Sequence, residues 1–306
     1  MEVVRARVLG FCMGVRRAVD MAEAEIASAA GPVYTLGPLI HNPQTLASLE
    51  KRGVRVLAPE GAEPGGAFPP GGVVIIRAHG VSPATEENLR RRGARVVDAT
   101  CPRVKASQLI AKDLAERGYL IFLAGERGHA EIQGIAGYVQ SAAPHLPPVI
   151  VGNAGDAAVA AGRAKAGAEA RAALIAQTTF SGEEYEAVAE AIRAVFPGLE
   201  VKRTICGATR DRREALRELC VRTDVDALVI AGGRESANTR RLADIARRYG
   251  KPCRLIETAA ELAPGSETAA ALAGAVSGRE PRIGISAGAS TPEEIIAAVE
   301  EKLRAM

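Results

Sequence analysis

The feature that most constrains this chain is a three-fold internal repeat. In each copy a predicted strand leads to a cysteine, and the cysteine leads to a predicted helix. The cysteines that follow the three lead strands are Cys12, Cys101 and Cys206. A repeat that keeps three thiols while the residues around them vary indicates one shared site that uses all three.

The same repeat places polar residues at the ends of two further predicted strands in every copy. One of these strands ends near His41 in the first copy, near His129 in the second, and near Ser236 with Asn238 in the third. The other ends near His79, Thr178 and Ser290, in the same order. Ligands of open α/β sheets bind beyond the carboxyl ends of the strands, so these residues are candidates for one binding site.

Alternating helices and apolar, β-branched strands predict an α/β fold with mostly parallel sheets. The repeat predicts three similar α/β domains in a pseudo-three-fold arrangement around a central site. The three thiols predict that this site holds an iron–sulfur cluster. The predicted domains cover residues 1–99, 100–204 and 205–281, with residues 1–12 as the lead strand and first thiol. Residues 282–306 are predicted to complete the third domain and dock near the N-terminus.

Local signals also recur between the copies. Ser82 and Thr291, each followed by proline, predict a hydroxyl cap at the start of a helix, and Ser181 begins a predicted capping box. The Pro- and Gly-rich stretch 59–72 predicts a surface loop, and residues 153–171 predict a loose helix and loop.

Composition excludes several classes of function. The 306 residues are 47% hydrophobic and 25% charged, as in an ordinary globular protein of two or three domains. A net charge of +3, 3% aromatic residues and no tryptophan argue against binding to nucleic acid. No stretch approaches the roughly 20 apolar residues of a membrane helix, and the N-terminus lacks the layout of a signal peptide, so we expect a cytoplasmic protein that does not bind membranes.

The cysteines point to a metal cofactor. Five cysteines without a Cys-x-x-Cys pair disfavour a disulfide framework, a thioredoxin motif and a local zinc site. The three repeated cysteines precede predicted helices, where the helix dipole favours a thiolate. Three soft thiolates in a buried, symmetric site favour an iron–sulfur cluster over zinc, and three ligands instead of four leave one iron open. Cys220 and Cys253 are expected to be buried small hydrophobes.

The polar residues suggest the ligand. They are rich in hydrogen-bond donors and poor in carboxylates, which suits an anion with many oxygens, such as a diphosphate. Glu131, close to His129 in the sequence, is a candidate proton donor, and Thr178 is a candidate for orienting a substrate hydroxyl. Structural roles remain open for some of them, since Ser236 and Ser290 fit helix caps and Glu131 fits a first-turn carboxylate.

Nine motifs in order resemble those of the 4-hydroxy-3-methylbut-2-enyl diphosphate reductases, which catalyse the last step of the non-mevalonate isoprenoid pathway. The motifs are GFCMGVRRAV at 10–19, HNP at 41–43, AHGV at 78–81, DATCP at 98–102, GHAE at 128–131, QTT at 177–179, TICGAT at 204–209, SAN at 236–238 and AGAS at 287–290. The resemblance covers nearly the whole chain.

The resemblance implies a [4Fe-4S] cluster held by Cys12, Cys101 and Cys206, with one open iron that binds the substrate hydroxyl. It implies a diphosphate site made of His41, His79, His129, Ser236, Asn238 and Ser290. Glu131 is then the proton source, with His129 beside it and Thr178 organising the hydroxyl end. Since no flavin or nicotinamide fingerprint appears, the two electrons are expected from an external carrier such as ferredoxin or flavodoxin.

Two positions depart from the family pattern. Ala237 stands where some members carry a second serine, and Arg213 stands where glutamine is common. Two other classes of function stay open from the residues alone. One is a zinc-dependent hydrolase of a phosphorylated substrate, and the other is a non-catalytic redox sensor that carries a cluster.

Overall fold

The structure is a computed structural model that describes residues 1–58, 68, 71–165 and 171–306. The loop predicted over 59–72 falls mostly outside the described residues, as does the end of the segment 153–171. Helix is present over Ala154–Lys165, where a loose helix was predicted. Within the described ranges, no helix combines the length and apolar character needed to cross a bilayer.

Helices and strands alternate along the chain. The strands are β1 (Glu2–Arg5), β2 (Val33–Leu36), β3 (Arg55–Leu57), β4 (Val73–Ile76), β5 (Arg95–Asp98), β6 (Leu120–Ala124), β7 (Val149–Val151), β8 (Ala172–Ala176), β9 (Glu200–Val201), β10 (Ala227–Ala231), β11 (Cys253–Ile256) and β12 (Arg282–Ala287). The α-helices are α1 (Met13–Ser28), α2 (Pro43–Lys51), α3 (Pro83–Arg91), α4 (Pro102–Glu116), α5 (Ala130–Ala142), α6 (Ala154–Lys165), α7 (Gly182–Arg193), α8 (Gly207–Val221), α9 (Ala237–Arg248), α10 (Glu267–Ala273) and α11 (Glu293–Arg304). A 3₁₀ helix covers Ala259–Leu262.

In the described residues, the strands form three four-stranded sheets with the same internal order. The first sheet runs β3-β2-β4-β5, the second β7-β6-β8-β9 and the third β11-β10-β12-β1. Every pairing is parallel. The central strands β4, β6 and β10 are buried along their whole length, as expected where helices cover both faces of a parallel sheet. The predicted α/β class with parallel sheets is confirmed.

The chain packs into two compact units. Unit I comprises residues 1–16, 40–48 and 207–306 and holds the third sheet, while unit II comprises residues 17–39 and 49–206 and holds the first and second sheets. In unit I, β1 pairs with β12, so the first and last strands of the chain are neighbours. The division of the chain into thirds stays a prediction.

The core of unit I shows how sequence pattern fixes a helix to its sheet. Ile296, Val299 and Leu303 recur at helical spacing along α11 and are fully buried. They pack in one cluster with Ile283 and Ile285 of β12. A buried side chain of this size contributes about 1.5–3 kcal/mol to folding, so α11 is held firmly against β12.

The predicted helix caps have mixed outcomes. Ser82 accepts a hydrogen bond from the Thr85 amide at 3.1 Å and caps α3 as predicted. The prediction was wrong for Ser181, whose side chain makes no cap bond at α7. It was also wrong for Thr291, since α11 begins one residue later than predicted and the Thr291 hydroxyl donates to the Ala231 carbonyl at 3.0 Å. Thr291 is fully buried, and its hydroxyl joins the Gly288 amide as a second donor to the Ala231 carbonyl at the end of β10.

Candidate functional site

The three repeated cysteines occupy the same structural position. Cys12 directly precedes α1, Cys101 precedes α4 and Cys206 precedes α8. All three are free thiols and half-buried. The backbone at each of them therefore joins the lead strand to the N-terminus of a helix, as the sequence predicted.

Each cysteine is also hydrogen-bonded to the end of the neighbouring strand. The Cys101 amide donates to the Ala78 carbonyl at 2.9 Å, and the Cys206 amide donates to the Thr178 carbonyl at 2.8 Å. The Cys12 amide donates to the Ala289 carbonyl at 3.1 Å. These bonds place Cys101 beside the residue that precedes His79, Cys206 beside Thr178, and Cys12 beside the residue that precedes Ser290. The backbone of each cysteine is thus bonded to the segment that carries one of the predicted polar groups.

Two of the tightest turns next to these residues require glycine. Gly10, just ahead of Cys12, has a φ of +75°, and a Cβ there would lie 2.8 Å from Ile296 Cδ1. Gly80, directly after His79, has a φ of +71°, and a Cβ there would lie 2.4 Å from the Gln108 amide nitrogen. Both the positive φ and the close approach exclude other residues without strain.

In unit II, His79 and His129 lie together after β4 and β6. Their ring centroids are 5.3 Å apart and the rings are perpendicular. His129 is the N-cap of α5, and its Nδ1 accepts a hydrogen bond from the Glu131 amide at 3.2 Å. In the neutral ring this assigns the proton to Nε2, which makes Nε2 a donor.

Glu131 is the most perturbed acid next to these histidines. Its side chain is 1% exposed and is held by Thr178, whose amide donates to Oε1 at 2.6 Å and whose hydroxyl donates to Oε2 at 2.9 Å. Burial raises the pKa of Glu131 to about 7, and the two bonds from Thr178 lower it in part. A carboxyl with such a pKa exchanges a proton near neutral pH.

In unit I, four of the predicted binding residues lie around the starts of α9 and α11. Ser236 caps α9 by accepting from the Thr239 amide at 3.4 Å, and the Ser290 hydroxyl donates to the His41 carbonyl at 3.0 Å. Asn238 is 5% exposed, and within the described part of the chain neither its Nδ2 nor its Oδ1 has a hydrogen-bond partner. A buried amide without partners is costly, and an oxygen-rich ligand would satisfy its donor.

His41 belongs to unit I although the strand before it, β2, belongs to unit II. Its position depends on Asn42, which is fully buried and accepts from the Thr45 amide at 2.9 Å and the Thr45 hydroxyl at 3.0 Å. Asn42 thereby caps α2. This cap was not predicted, although asparagine before Pro43 is a signal of a helix start.

The other two cysteines differ from the repeated three. Cys220 is buried in the core of unit I with Leu216 and Leu228, and burial raises the pKa of its thiol. Burial raises the pKa of the Cys253 thiol to about 11. Both thiols are therefore disfavoured as thiolates. The predicted burial is confirmed for Cys220 but was wrong for Cys253, which is half-buried.

Comparisons with known proteins match nearly the whole chain. The family described as LytB protein matches residues 3–304. The 4-hydroxy-3-methylbut-2-enyl diphosphate reductase of Treponema pallidum (strain Nichols) is 45% identical over 333 residues, which cover 99% of this chain and 83% of the relative.

Two solved structures are similar over nearly the whole chain. One is the structure of (E)-4-hydroxy-3-methyl-but-2-enyl diphosphate reductase, the terminal enzyme of the non-mevalonate pathway, with a TM-score of 0.72, 38% identity and coverage of 100% of this chain and 99% of that chain. The other is the E-1-hydroxy-2-methyl-but-2-enyl-4-diphosphate reductase from Plasmodium falciparum, with a TM-score of 0.80, 25% identity and coverage of 98% and 87%.

Proposed function

This chain belongs to the LytB protein family, and we propose that it is a 4-hydroxy-3-methylbut-2-enyl diphosphate reductase. It removes the hydroxyl group of this allylic diphosphate with two electrons and two protons, giving water and isopentenyl or dimethylallyl diphosphate. One observation carries the proposal: in all three copies of the repeat, the cysteine amide donates to a segment that follows a strand and carries one of the predicted polar residues. The relatives and solved structures compared above carry the name of this reductase.

The three half-buried thiols fit an iron–sulfur cofactor, which is also consistent with the family. The donor set consists of three soft sulfur ligands, and each of these cysteines lies at a helix N-terminus. We propose that Cys12, Cys101 and Cys206 hold a [4Fe-4S] cluster with one open iron. When bound, this cluster supplies electrons and a Lewis-acidic iron for the substrate hydroxyl.

Glu131 is proposed to supply the proton that leaves with the hydroxyl. Its pKa near 7 keeps a large fraction of the carboxyl protonated at neutral pH, and burial keeps bulk water from it. The Thr178 hydroxyl, hydrogen-bonded to Oε2, is proposed to fix the carboxyl and to orient the hydroxyl end of the substrate. His129, whose Nδ1 accepts a hydrogen bond from the Glu131 amide, is proposed to keep the Glu131 carboxyl at the start of α5.

Two groups of neutral donors are proposed to bind the diphosphate, one in each unit. In unit II these are His79 and His129, whose Nε2 is a donor in the neutral ring. In unit I they are His41, Ser236, Asn238 and Ser290. Asn238 supports the assignment most directly, because its buried Nδ2 has no acceptor within the described residues and a diphosphate oxygen would provide one.

Two departures from the family pattern leave these assignments in place. Ala237, half-buried at the start of α9, offers only its backbone where a serine would add a hydroxyl. Arg213 lies half-buried on α8, and nothing in the structure explains the replacement of glutamine.

The electron donor is proposed to be an external carrier of the ferredoxin or flavodoxin type. The predicted location, the cytoplasm, stays a prediction. The two alternatives from the sequence, a zinc-dependent hydrolase and a redox sensor, gain no support from relatives that are named as reductases.

The test is anaerobic purification followed by reduction with dithionite and a viologen in the presence of the hydroxylated allylic diphosphate. We expect a brown, iron-containing protein that forms the two five-carbon diphosphates. Cys101→Ser should lose both iron and turnover, while the matched control Cys253→Ser should keep both. A colourless protein that binds zinc, or a brown protein that turns over none of the substrate, would overturn the proposal.

A further inference from the structure

Each of the three sheets lies between a helix that follows one repeated cysteine and an edge strand that leads to another. In the first sheet, α1 follows Cys12 and the edge strand β5 leads to Cys101. In the third sheet, α8 follows Cys206 and the edge strand β1 leads to Cys12. A bond between the helix after one cysteine and the main chain that leads to another therefore fixes the spacing of these two segments.

Such a bond exists in unit II, where Arg17 joins the two ends of the first sheet. Arg17 lies little more than one turn into α1. Its Nη1 donates to the Thr100 carbonyl at 3.2 Å and its Nη2 donates to the Asp98 carbonyl at 3.4 Å. Thr100 directly precedes Cys101, so the guanidinium holds the main chain that presents this cysteine.

Arg212 makes the corresponding bond in unit I. It lies on α8, is 4% exposed, and donates to the Gly10 carbonyl through Nε at 3.1 Å and through Nη2 at 2.6 Å. Its Nη1 donates to the Ala208 carbonyl at 2.9 Å, within the first turn of α8. One planar cation thus links the turn before Cys12 to the helix start after Cys206.

We propose that Arg17 and Arg212 are positioning residues for the thiol ligand set, each fixing the spacing between the helix after one cysteine and the approach to the next. The inference rests on the proposed function, since it requires the thiols to hold one cluster. Arginine suits this role because its fork of donors is planar and permanently charged, so its bonds to carbonyls are strong and directional. In the second sheet the approach to Cys206 is held by Thr204, whose hydroxyl donates to the Ala176 carbonyl at 2.8 Å.

The chain contains a matched control for each arginine. Arg95 of β5 pairs with Glu25 of α1, the same two elements that Arg17 joins, but at their exposed side. Arg7, just after β1, pairs with Glu218 of α8 at 3.1 Å and is likewise exposed. Exposed ion pairs contribute little, so Arg95 and Arg7 test whether any link between these elements is enough.

The experiment compares Arg17→Gln with Arg95→Gln, and Arg212→Gln with Arg7→Gln, in anaerobically purified holoprotein. Iron release to a ferrous chelator is timed, and iodoacetamide labelling of each cysteine is followed by peptide mass spectrometry. We expect iron release to be at least tenfold faster in Arg17→Gln and Arg212→Gln, and within twofold of the unsubstituted protein in the controls. Cys12 and Cys101 should label sooner in Arg17→Gln, and Cys12 and Cys206 should label sooner in Arg212→Gln, while buried Cys220 does not. Arg17→Lys, whose ammonium can still reach a carbonyl, should fall between.

Two results would overturn the inference. One is iron release in the Arg17 and Arg212 variants that matches their controls. The other is labelling of Cys220 together with the repeated cysteines, which would indicate general unfolding. If Arg212→Gln does not fold, the Arg17 and Arg95 pair decides. If the unsubstituted protein holds no iron, the proposed function fails, and the labelling order in the iron-free variants still decides the role of the arginines.

Discussion

The starts of α5 and α9 occupy the same place in two copies of the repeat, yet they carry opposite chemistry. His129 caps α5 and Glu131 is its second residue, while Ser236 caps α9 and Asn238 is its second residue. Both second residues are buried. The Glu131 carboxyl is held by two bonds from Thr178, whereas the Asn238 amide has no partner within the described residues.

This difference indicates how one backbone position serves two tasks. A buried carboxyl with fixed donors stores a proton near neutral pH, but it would repel a diphosphate. A buried amide cannot supply that proton, but its N–H donors suit an anionic oxygen. Leaving a buried amide unpaired costs about 1–3 kcal/mol, which a bound ligand can recover. With the roles proposed above, the repeat divides proton delivery and anion binding between equivalent helix starts.

The sharpest way to break this comparison is Glu131→Gln. The amide keeps the shape of the side chain but cannot deliver a proton, so we expect kcat to fall by about 10²- to 10⁴-fold. Iron content and the Kd for the diphosphate should stay within about twofold of the unsubstituted values, because no metal ligand is changed. Steady-state turnover and equilibrium binding measure both, and an unchanged kcat would remove Glu131 as the proton source.

Asn238→Ala should give the opposite pattern. Loss of the buried donor should weaken diphosphate binding by roughly 10- to 100-fold, with a single-turnover rate at saturation that is nearly unchanged. Asn238→Asp, which copies the carboxyl group found at the α5 position, should bind still more weakly because a carboxylate there repels the anion. Titration calorimetry with the diphosphate measures these affinities, and equal affinity in all three proteins would refute the assignment.

Thr178→Val sharpens the comparison on the proton side. It removes the hydroxyl bond that lowers the pKa of Glu131, so that pKa should rise further above its ordinary value. Activity requires the protonated carboxyl and falls as pH rises through its pKa, so the alkaline fall in kcat should move to higher pH. Maximal kcat should drop by roughly 2- to 10-fold. A pH–rate profile with an unmoved alkaline limb would show that the Thr178 hydroxyl does not tune the carboxyl.

The smallest effect is expected from Ala237→Ser. A hydroxyl at the first residue of α9 would add one donor beside Ser236 and Asn238. We expect diphosphate to bind about 2- to 5-fold more tightly, with no change in kcat or in the pH profile. Affinity that is unchanged or weaker would place this residue outside the anion site.

The sequence was sufficient for the class of fold and for the order of the strand ends. The repeat shows which polar residue follows each strand, and parallel pairing brings the carboxyl ends of the strands in a sheet to the same edge of that sheet. It was not sufficient for the cap predicted at Thr291. The buried hydroxyl of this residue can accept from an amide of the helix that follows or donate to the Ala231 carbonyl, and it does the latter. That choice depends on packing that appears only in three dimensions.

Two further features also lay beyond sequence pattern. His41 joins unit I through its carbonyl bond to Ser290, a contact between residues far apart in the chain. The bonds of Arg17 and Arg212 go to main-chain carbonyls, which leave no trace in residue type. A useful signal was nonetheless present, since both arginines lie one to two turns after a repeated cysteine.

The most direct test of this division is a titration of the Glu131 carboxyl itself. Infrared difference spectra between the unsubstituted protein and Glu131→Gln isolate the stretch of its protonated form. The account predicts that this band disappears with a midpoint near pH 7, as burial of the carboxyl requires. A midpoint near pH 4.5, the ordinary value for glutamate, would contradict the account. The start of α5 would then hold an ordinary carboxylate and no proton store at neutral pH.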